Sequence, residues 1–134
     1  MPLVVGAVLA LAVGLTCTAV GLDRDRAFYP TVGMVVASYY ALFAVMGQSM
    51  QALLAEGLLG AVFIAASLFG FRTSLWVVVA ALAGHGVFDL GHARIVSNPG
   101  MPIWWPGFCS AYDVTAAAYL AGLLKANRVR ATRT

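Results

Sequence analysis

The sequence has few charged residues. Only 10% of its 134 residues are Asp, Glu, Lys or Arg, and 62% are hydrophobic, whereas about a quarter of an ordinary soluble domain is charged. This shortage excludes a soluble globular protein with a normal hydrated surface, and the apolar content excludes a disordered chain. The mean hydropathy of +0.90 predicts an integral membrane protein instead. The net charge of +3 is small, so we expect no nucleic-acid partner.

Cysteine is also scarce. The two cysteines, Cys17 and Cys109, both fall in apolar stretches, and they form neither a disulfide framework nor a zinc-ribbon pattern. A buried free cysteine is usually a small hydrophobic residue. Cys109 nevertheless lies one helical turn before Asp113, so metal ligation by its thiol stays open.

Five apolar stretches are each long enough to cross a bilayer as a helix, which takes about 20 residues. They cover about residues 2–22, 28–47, 50–70, 75–96 and 107–124. The break between the second and third rests on Gly47, Gln48 and Ser49, and a hairpin is required because one continuous helix would be twice too long. The spans leave no room for an extramembrane domain. The sequence therefore predicts one all-α transmembrane bundle over residues 1–134.

The basic residues predict the orientation of this bundle. With the C-terminus in the cytoplasm, only Arg94 of the 8 basic residues falls outside. Those inside are Arg24, Arg26, Arg72, Lys125, Arg128, Arg130 and Arg133. Because basic loops stay in the cytoplasm, we expect an N-out, C-in protein. The preference for Arg over Lys and the many Ala, Val and Gly residues fit a bacterium of high genomic GC content, so we expect a bacterial plasma membrane. Trp104 and Trp105 outside, with Trp76 and Tyr29 near the inner ends, fit interfacial anchors.

Three of the five acidic residues and both histidines fall inside the predicted spans. An ionisable side chain in a membrane is costly, and it usually faces the bundle interior with a function. The five are Glu56, His85, Asp89, His92 and Asp113. The other two acids, Asp23 and Asp25, alternate with arginines in the first loop, where we expect them to be solvated.

Spacing places these five groups in one layer. His85, Asp89 and His92 lie at i, i+4 and i+7, so they share a face of the fourth helix, about 16, 10 and 6 Å from its outer end. Asp113 and Glu56 are each about 9 Å from the outer ends of their own helices. Glycines beside the polar groups would let a helix or a ligand approach closely; these are Gly84, Gly86 and Gly91.

A metal site is the first interpretation of this layer. Two imidazoles and a carboxylate with open positions are the ligands of several zinc and non-haem iron sites. The predicted ligands of a zinc, iron or manganese ion are His85, Asp89 and His92, completed by Asp113 or Glu56. The ion would activate a water or polarise a substrate oxygen. Since His85 and His92 are about 10 Å apart along the helix, they share an ion only if their side chains converge.

Acid–base catalysis without a metal is the second interpretation. Asp89 next to His85 or His92 would form a proton donor and acceptor, with Glu56 and Asp113 as further carboxyl groups. Such a site can protonate an alkene or epoxide, or move a double bond. Both interpretations predict an isomerase, cyclase or hydrolase acting on a lipid or isoprenoid-like substrate within the bilayer.

Two non-catalytic interpretations stay open. Intramembrane histidine and aspartate also form proton or metal pathways, but five spans do not divide into the inverted repeat of many transporters. A transport component would then be a dimer or an accessory subunit, and a homodimer is compatible with the sequence. The other interpretation is a structural hydrogen-bond network between helices, for instance from His92 to Asp113.

The segment 97–106, SNPGMPIWWP, contributes expected substrate-binding residues. Asn98-Pro99-Gly100 is a turn signal, and Pro106 suits the start of a helix. The tryptophans act as interfacial anchors or, in a lid, contact a hydrophobic substrate. Tyr39 and Tyr40 are adjacent and face different sides, so one of them could hydrogen-bond into the site. The predicted substrate-binding residues are Asn98, Trp104, Trp105, Tyr112 and Tyr39.

The last third of the chain resembles a family of small bacterial multi-span membrane proteins. The pattern reads His85-x3-Asp89-x2-His92, then Asn98-Pro99, then Trp105-Pro106-x-Phe108-Cys109-x2-Tyr112-Asp113. That family has no established activity, so the resemblance implies no role for these residues. The five-helix plan with polar groups inside is also similar to the sterol isomerase fold of emopamil-binding proteins and to small membrane terpene cyclases. This similarity is one of plan only, because no motif of either aligns with the chain.

Overall fold

A computed structural model describes residues 1–132. Arg133, one of the basic residues used to predict the orientation, lies outside the described residues. Within this range the chain folds into five long α-helices. They are α1 Pro2–Val20, α2 Phe28–Met46, α3 Met50–Arg72, α4 Leu75–Ile95 and α5 Trp105–Lys125. Every boundary lies within two residues of the predicted one. The all-α prediction is therefore confirmed.

Four of the helices, α1 to α4, are long and apolar enough to cross a membrane, as in a multi-pass membrane protein. α5 is not among them, although its 21 residues make it equally long. The reason is composition, since α5 carries Ser110, Tyr112, Asp113 and Thr115. The fifth span and the orientation stay predictions.

The exposed and buried side chains are distributed as in a membrane protein. Leu54, Leu58 and Leu90 are 69–72% exposed, whereas Asp89 and Asp113 are at most 1% exposed. Water would favour the opposite arrangement, because burying apolar groups stabilises a soluble fold and burying unpaired charges destabilises it. An apolar solvent around the bundle accounts for both observations.

The local sequence determines where the helices begin and end. Gly21 has a positive φ of 84° and ends α1, a conformation that glycine adopts without strain. Ser49 and Ser74 each accept a hydrogen bond from a backbone N–H of the following turn, as N-caps of α3 and α4. Pro106 lies in the first turn of α5. The predicted break between α2 and α3 is confirmed.

The two ends of the bundle differ. The loop end, as we call it, holds the α2–α3 turn (47–49) and the α4–α5 loop (96–104), and the tail end holds residues 21–27, 73–74 and 126–132. At the tail end Arg26 donates hydrogen bonds to the carbonyl oxygens of Arg130 and Ala131, at 2.6 Å each, and of Phe71 at 2.9 Å. The C-terminal segment is thereby fixed beneath the helices.

Two expectations about the tail end are wrong. Asp23 is not solvated but 3% exposed, because a 3₁₀ turn folds it back so that it accepts a hydrogen bond from Thr18. The Thr18 hydroxyl is also 2.9 Å from the phenol oxygen of Tyr119. Tyr29 is not an interfacial anchor, since it packs into the core of the bundle and is 4% exposed.

Glycines bring three pairs of helices into close contact. A Cβ atom on Gly6, Gly60 or Gly86 would lie 2.2, 2.8 or 2.9 Å from a backbone carbonyl oxygen of the facing helix. These contacts join α1 to α5, α3 to α2, and α4 to α5. Close approach was expected at three glycines of α4, and Gly86 confirms it. Among residues 1–132, Gly84 has only one side-chain atom at 3.9 Å and Gly91 has nothing within 4 Å.

Gly86→Ala is therefore predicted to destabilise the protein, and Gly91→Ala provides a matched control on the same helix. The added methyl at residue 86 forces α4 away from α5, which costs about 1–3 kcal/mol by the usual penalty for overpacking. The same methyl at residue 91 enters open space and gains helix propensity. Denaturant unfolding in detergent, followed by circular dichroism, measures both. Equal stabilities would contradict the close packing at Gly86.

Candidate functional site

Two pairs of polar side chains meet between α4 and α5. His85 and Asp89 on α4, like Cys109 and Asp113 on α5, are separated by four residues, so each pair lies on one helix face. The contact at Gly86 brings the two faces together. All four residues are at most 3% exposed. We call them the four-residue cluster.

The groups of the four-residue cluster are in direct contact. His85 Nδ1 lies 2.7 Å from Asp113 Oδ2 and 3.5 Å from Asp89 Oδ2. The Cys109 thiol donates to Asp113 Oδ2 at 3.7 Å, and the Tyr40 phenol on α2 donates to Asp89 Oδ1 at 2.7 Å. One ligand atom from each member of the cluster lies within 4.8 Å of the others, so the cluster could hold a metal ion.

A second pair, Glu56 on α3 and His92 on α4, lies nearer the loop end. His92 Nε2 is 2.9 and 3.1 Å from the two carboxylate oxygens of Glu56. The amide of Asn98 donates to Glu56 Oε1 at 3.0 Å and to the backbone oxygen of Tyr40 at 2.9 Å. The Tyr40 ring also stacks on His92, with 4.3 Å between ring centroids. Tyr40 thus contacts both this pair and the four-residue cluster.

The structure separates the predicted metal ligands. His85 and Asp89 lie together, but His92 is paired with Glu56 and is outside the four-residue cluster. The physical reason is that residues seven apart are two helical turns apart, and here they face different neighbouring helices. Cys109 takes the place predicted for His92. Its signal in the sequence was the four-residue spacing to Asp113, which matches the spacing of His85 and Asp89.

The predicted substrate-binding residues lie in two places. Four of them line an apolar groove, namely Tyr39, Trp104, Trp105 and Tyr112. Asn98 instead belongs to the Glu56–His92 pair. The tyrosine that hydrogen-bonds into the site is Tyr40 and not Tyr39, as the opposite orientation of adjacent helical residues allows. Tyr40 thus belongs to the site, although it was not among the predicted site residues.

The groove lies between α1, α2 and α5 and has a volume of about 670 Å³. It exists because α1 packs on α5 while α2 packs on α3. Its walls are almost entirely apolar, and Val5 and Leu9, which line it, are 55% and 44% exposed. Cys109 forms part of the wall. The groove therefore connects the lipid-facing surface with the edge of the four-residue cluster.

Within the described residues, no Lys or Arg side chain belongs to the four-residue cluster. The basic residues between positions 1 and 132 lie in loops, in the 3₁₀ turn or in the terminal turns of helices. Among residues 1–132, Asp89 Oδ2 and Asp113 Oδ1 have no hydrogen-bond partner. Because buried carboxylates need a compensating charge or a proton, the site must hold protons or a cation. Proton transfer, metal binding and a structural hydrogen-bond network between helices are all compatible with this arrangement.

Comparisons with family models, with curated proteins and with solved structures find no match to this chain. Its function therefore has to be argued from the geometry of the site.

Tyr40→Phe is predicted to destabilise the protein, with the adjacent Tyr39→Phe as control. Loss of the Tyr40 hydroxyl leaves a buried carboxylate oxygen of Asp89 without its donor, which costs about 1–3 kcal/mol. Tyr39 faces the groove, so its hydroxyl contributes less to folding. Denaturant unfolding of the two variants in the same detergent gives the comparison. Equal stabilities would show that the bond to Asp89 contributes nothing to the fold.

Proposed function

We propose that the protein is an integral membrane enzyme that acts on a lipid or isoprenoid-like substrate at the four-residue cluster. The observation that carries this proposal is the position of Cys109, which belongs both to the cluster and to the wall of the groove. A hydrophobic molecule in the groove is separated from the His85–Asp113 bond by one side chain.

Entry of the substrate from the bilayer is supported by the α4–α5 loop, which packs over the polar groups at the loop end. Asn98 is buried against Glu56, and a Cβ atom on Gly100 would lie 1.9 Å from the carbonyl oxygen of Phe43. The α4–α5 loop is thus packed directly on α2. The groove runs along the side of the bundle, where Val5 and Leu9 of α1 line it.

The chemistry proposed is proton transfer by one imidazole between two carboxyl groups. His85 Nδ1 lies 2.7 Å from Asp113 Oδ2 and 3.5 Å from Asp89 Oδ2, so this one nitrogen can take a proton from one carboxyl group and return it to the other group or to a substrate. This arrangement suits isomerase or cyclase reactions. With a divalent metal bound, the same site would supply a Lewis acid or an activated water, as hydrolases use.

The membrane arrangement is part of the proposal. We place five spans N-out and C-in in a bacterial plasma membrane, with the tail end in the cytoplasm. The seven-to-one bias of basic residues supports this orientation. α5 is about 31 Å long at 1.5 Å per residue, enough to span the hydrocarbon layer, and it packs on both α1 and α4. The four-residue cluster then lies in the outer half of the bilayer.

A proton-transport component is the second candidate. It is favoured by the row of polar groups that runs from Asp113 through His85 and Asp89 to Tyr40, whose ring stacks on His92 of the Glu56–His92 pair. Such a row can conduct protons through a bundle. A transporter would show proton flux in liposomes and leave the lipids chemically unchanged.

Asp113→Asn is predicted to abolish lipid conversion. Purified protein in proteoliposomes is incubated with a bacterial lipid extract, and mass spectrometry identifies species consumed and formed by the wild type. We expect these changes to be lost in the variant, because an amide cannot exchange a proton with His85. Asp25→Asn, a substitution in the exposed first loop, is the matched control and should retain them. A lipid profile unchanged by the wild-type protein would contradict the enzyme proposal.

Val5→Trp is predicted to reduce the rate of the same lipid conversion by more than about tenfold. A loss of about 1.4 kcal/mol in the binding free energy of the substrate already has this effect. The indole would occupy the groove where Val5 lines it. Leu58→Trp on α3, at a site that is 72% exposed, adds the same bulk away from the groove. Equal loss in both variants would argue against the groove as the substrate path.

A further inference from the structure

We propose that the four-residue cluster binds one zinc-type divalent cation, with Cys109 supplying a thiolate ligand alongside His85, Asp89 and Asp113. This inference rests on the proposed function for the role of the site, and it adds the identity of the cofactor. It also replaces the ligand set expected from the sequence, because His92 is held by Glu56.

The distances between ligand atoms are close to those of a site for one ion, although the His85–Asp113 hydrogen bond has to open. In tetrahedral zinc sites with bonds of about 2.0–2.3 Å, ligand atoms lie about 3.3–3.8 Å apart. Here the separations are 2.7 Å between His85 Nδ1 and Asp113 Oδ2, 3.5 Å between His85 Nδ1 and Asp89 Oδ2, and 3.7 Å between Cys109 Sγ and Asp113 Oδ2. All four ligand atoms lie within 4.8 Å. Small side-chain movements are enough to surround an ion.

A second, independent observation is a buried carboxylate oxygen that accepts no hydrogen bond from the described residues. Asp89 is 1% exposed, and its Oδ2 atom has no hydrogen-bond partner among residues 1–132. This oxygen faces the cluster, 3.5 Å from His85 Nδ1. Buried polar atoms are nearly always satisfied, and an orphan points to a missing ion or water. A cation bound by the cluster would accept a lone pair of Asp89 Oδ2.

The charge balance favours a divalent ion. Two carboxylates and a thiolate carry three negative charges, so a divalent cation with a neutral imidazole leaves one negative charge. A zinc site made of four cysteine thiolates leaves two. Binding releases the thiol proton of Cys109 as the metal–sulfur bond forms, and the proton between His85 and Asp113 leaves as the metal–nitrogen bond forms. The ion therefore replaces protons that the buried groups would otherwise need.

The composition of the ligands determines which ion is preferred. A thiolate with one imidazole and two carboxylates suits zinc, whereas magnesium, calcium and manganese prefer sites made of oxygen ligands. The sequence predicted zinc, iron or manganese on His85, Asp89 and His92, with Cys109 only as an open alternative. Cys109 therefore shifts the expected cofactor to zinc, with cobalt as its spectroscopic substitute.

The test measures metal binding and its spectrum in purified protein. The full chain is prepared in detergent without chelator, and zinc is measured by mass spectrometry. The protein is then reconstituted with cobalt(II). We expect one metal per chain and a thiolate-to-cobalt charge-transfer band in the near ultraviolet. Cys109→Ser should remove the band. Asp113→Asn should weaken cobalt binding by more than about tenfold, because even substitution of residues that only support the metal ligands causes a loss of this size.

The other buried cysteine provides the matched control. Cys17 on α1 lies outside the four-residue cluster, so Cys17→Ser should retain both the metal and the band. Bound cobalt without a thiolate band in the wild type would overturn ligation by Cys109, whether or not any variant folds. Absence of metal after reconstitution, or unchanged binding in folded Asp113→Asn protein, would overturn the site.

Failure of this inference and failure of the proposed function give different results. A protein that binds no metal but converts a lipid would be an acid–base enzyme, and only the cofactor would be wrong. A protein that binds cobalt through Cys109 and changes no lipid would retain the metal site and lose the enzymatic role.

Discussion

The bond between His85 on α4 and Asp113 on α5 is the interaction on which the rest of the structure depends. A carboxyl group in an apolar bundle is tolerated only with a partner, and this partner lies on another helix. The pairing requires α4 and α5 to approach closely, which Gly86 permits. The Tyr40 phenol then joins α2 to Asp89 of the four-residue cluster, and the Glu56–His92 bond joins α3 to α4. The polar groups thus determine how four of the helices are arranged.

The distribution of polar and apolar side chains is the opposite of that in a soluble protein, and under the proposed function it bears on the route of the substrate. Charged and hydrogen-bonding groups are inside, leucines are outside, and the α4–α5 loop is packed on the end of the bundle. A molecule already dissolved in the bilayer meets the groove between α1 and α2 directly. The position of the groove and the position of the polar groups therefore favour the same class of substrate.

The helices and most of the site could be predicted from the sequence, because both depend on local signals. Apolar stretches of fixed length gave all five helices, and the cost of burying ionisable groups singled out Glu56, His85, Asp89, His92 and Asp113. Which of these would meet was not predictable, since it depends on the rotation of each helix about its axis. That rotation puts His92 against α3 and brings in Cys109. The burial of Asp23 was not predictable either, because it depends on a 3₁₀ turn that the hydrophobic periodicity of the sequence does not reveal.

The modest hydropathy of α5 has a consequence for biosynthesis. A helix carrying an aspartate at its centre is a weak insertion signal, because that residue adds about 2.5–3.5 kcal/mol to the free energy of insertion by the translocon. Within the proposed five-span arrangement, His85 on the preceding helix is the group that offsets this cost. Only nine residues (96–104) connect the two helices, so they can leave the translocon as one hairpin. In the proposed arrangement, His85 would thus serve both the site and the insertion of the last helix.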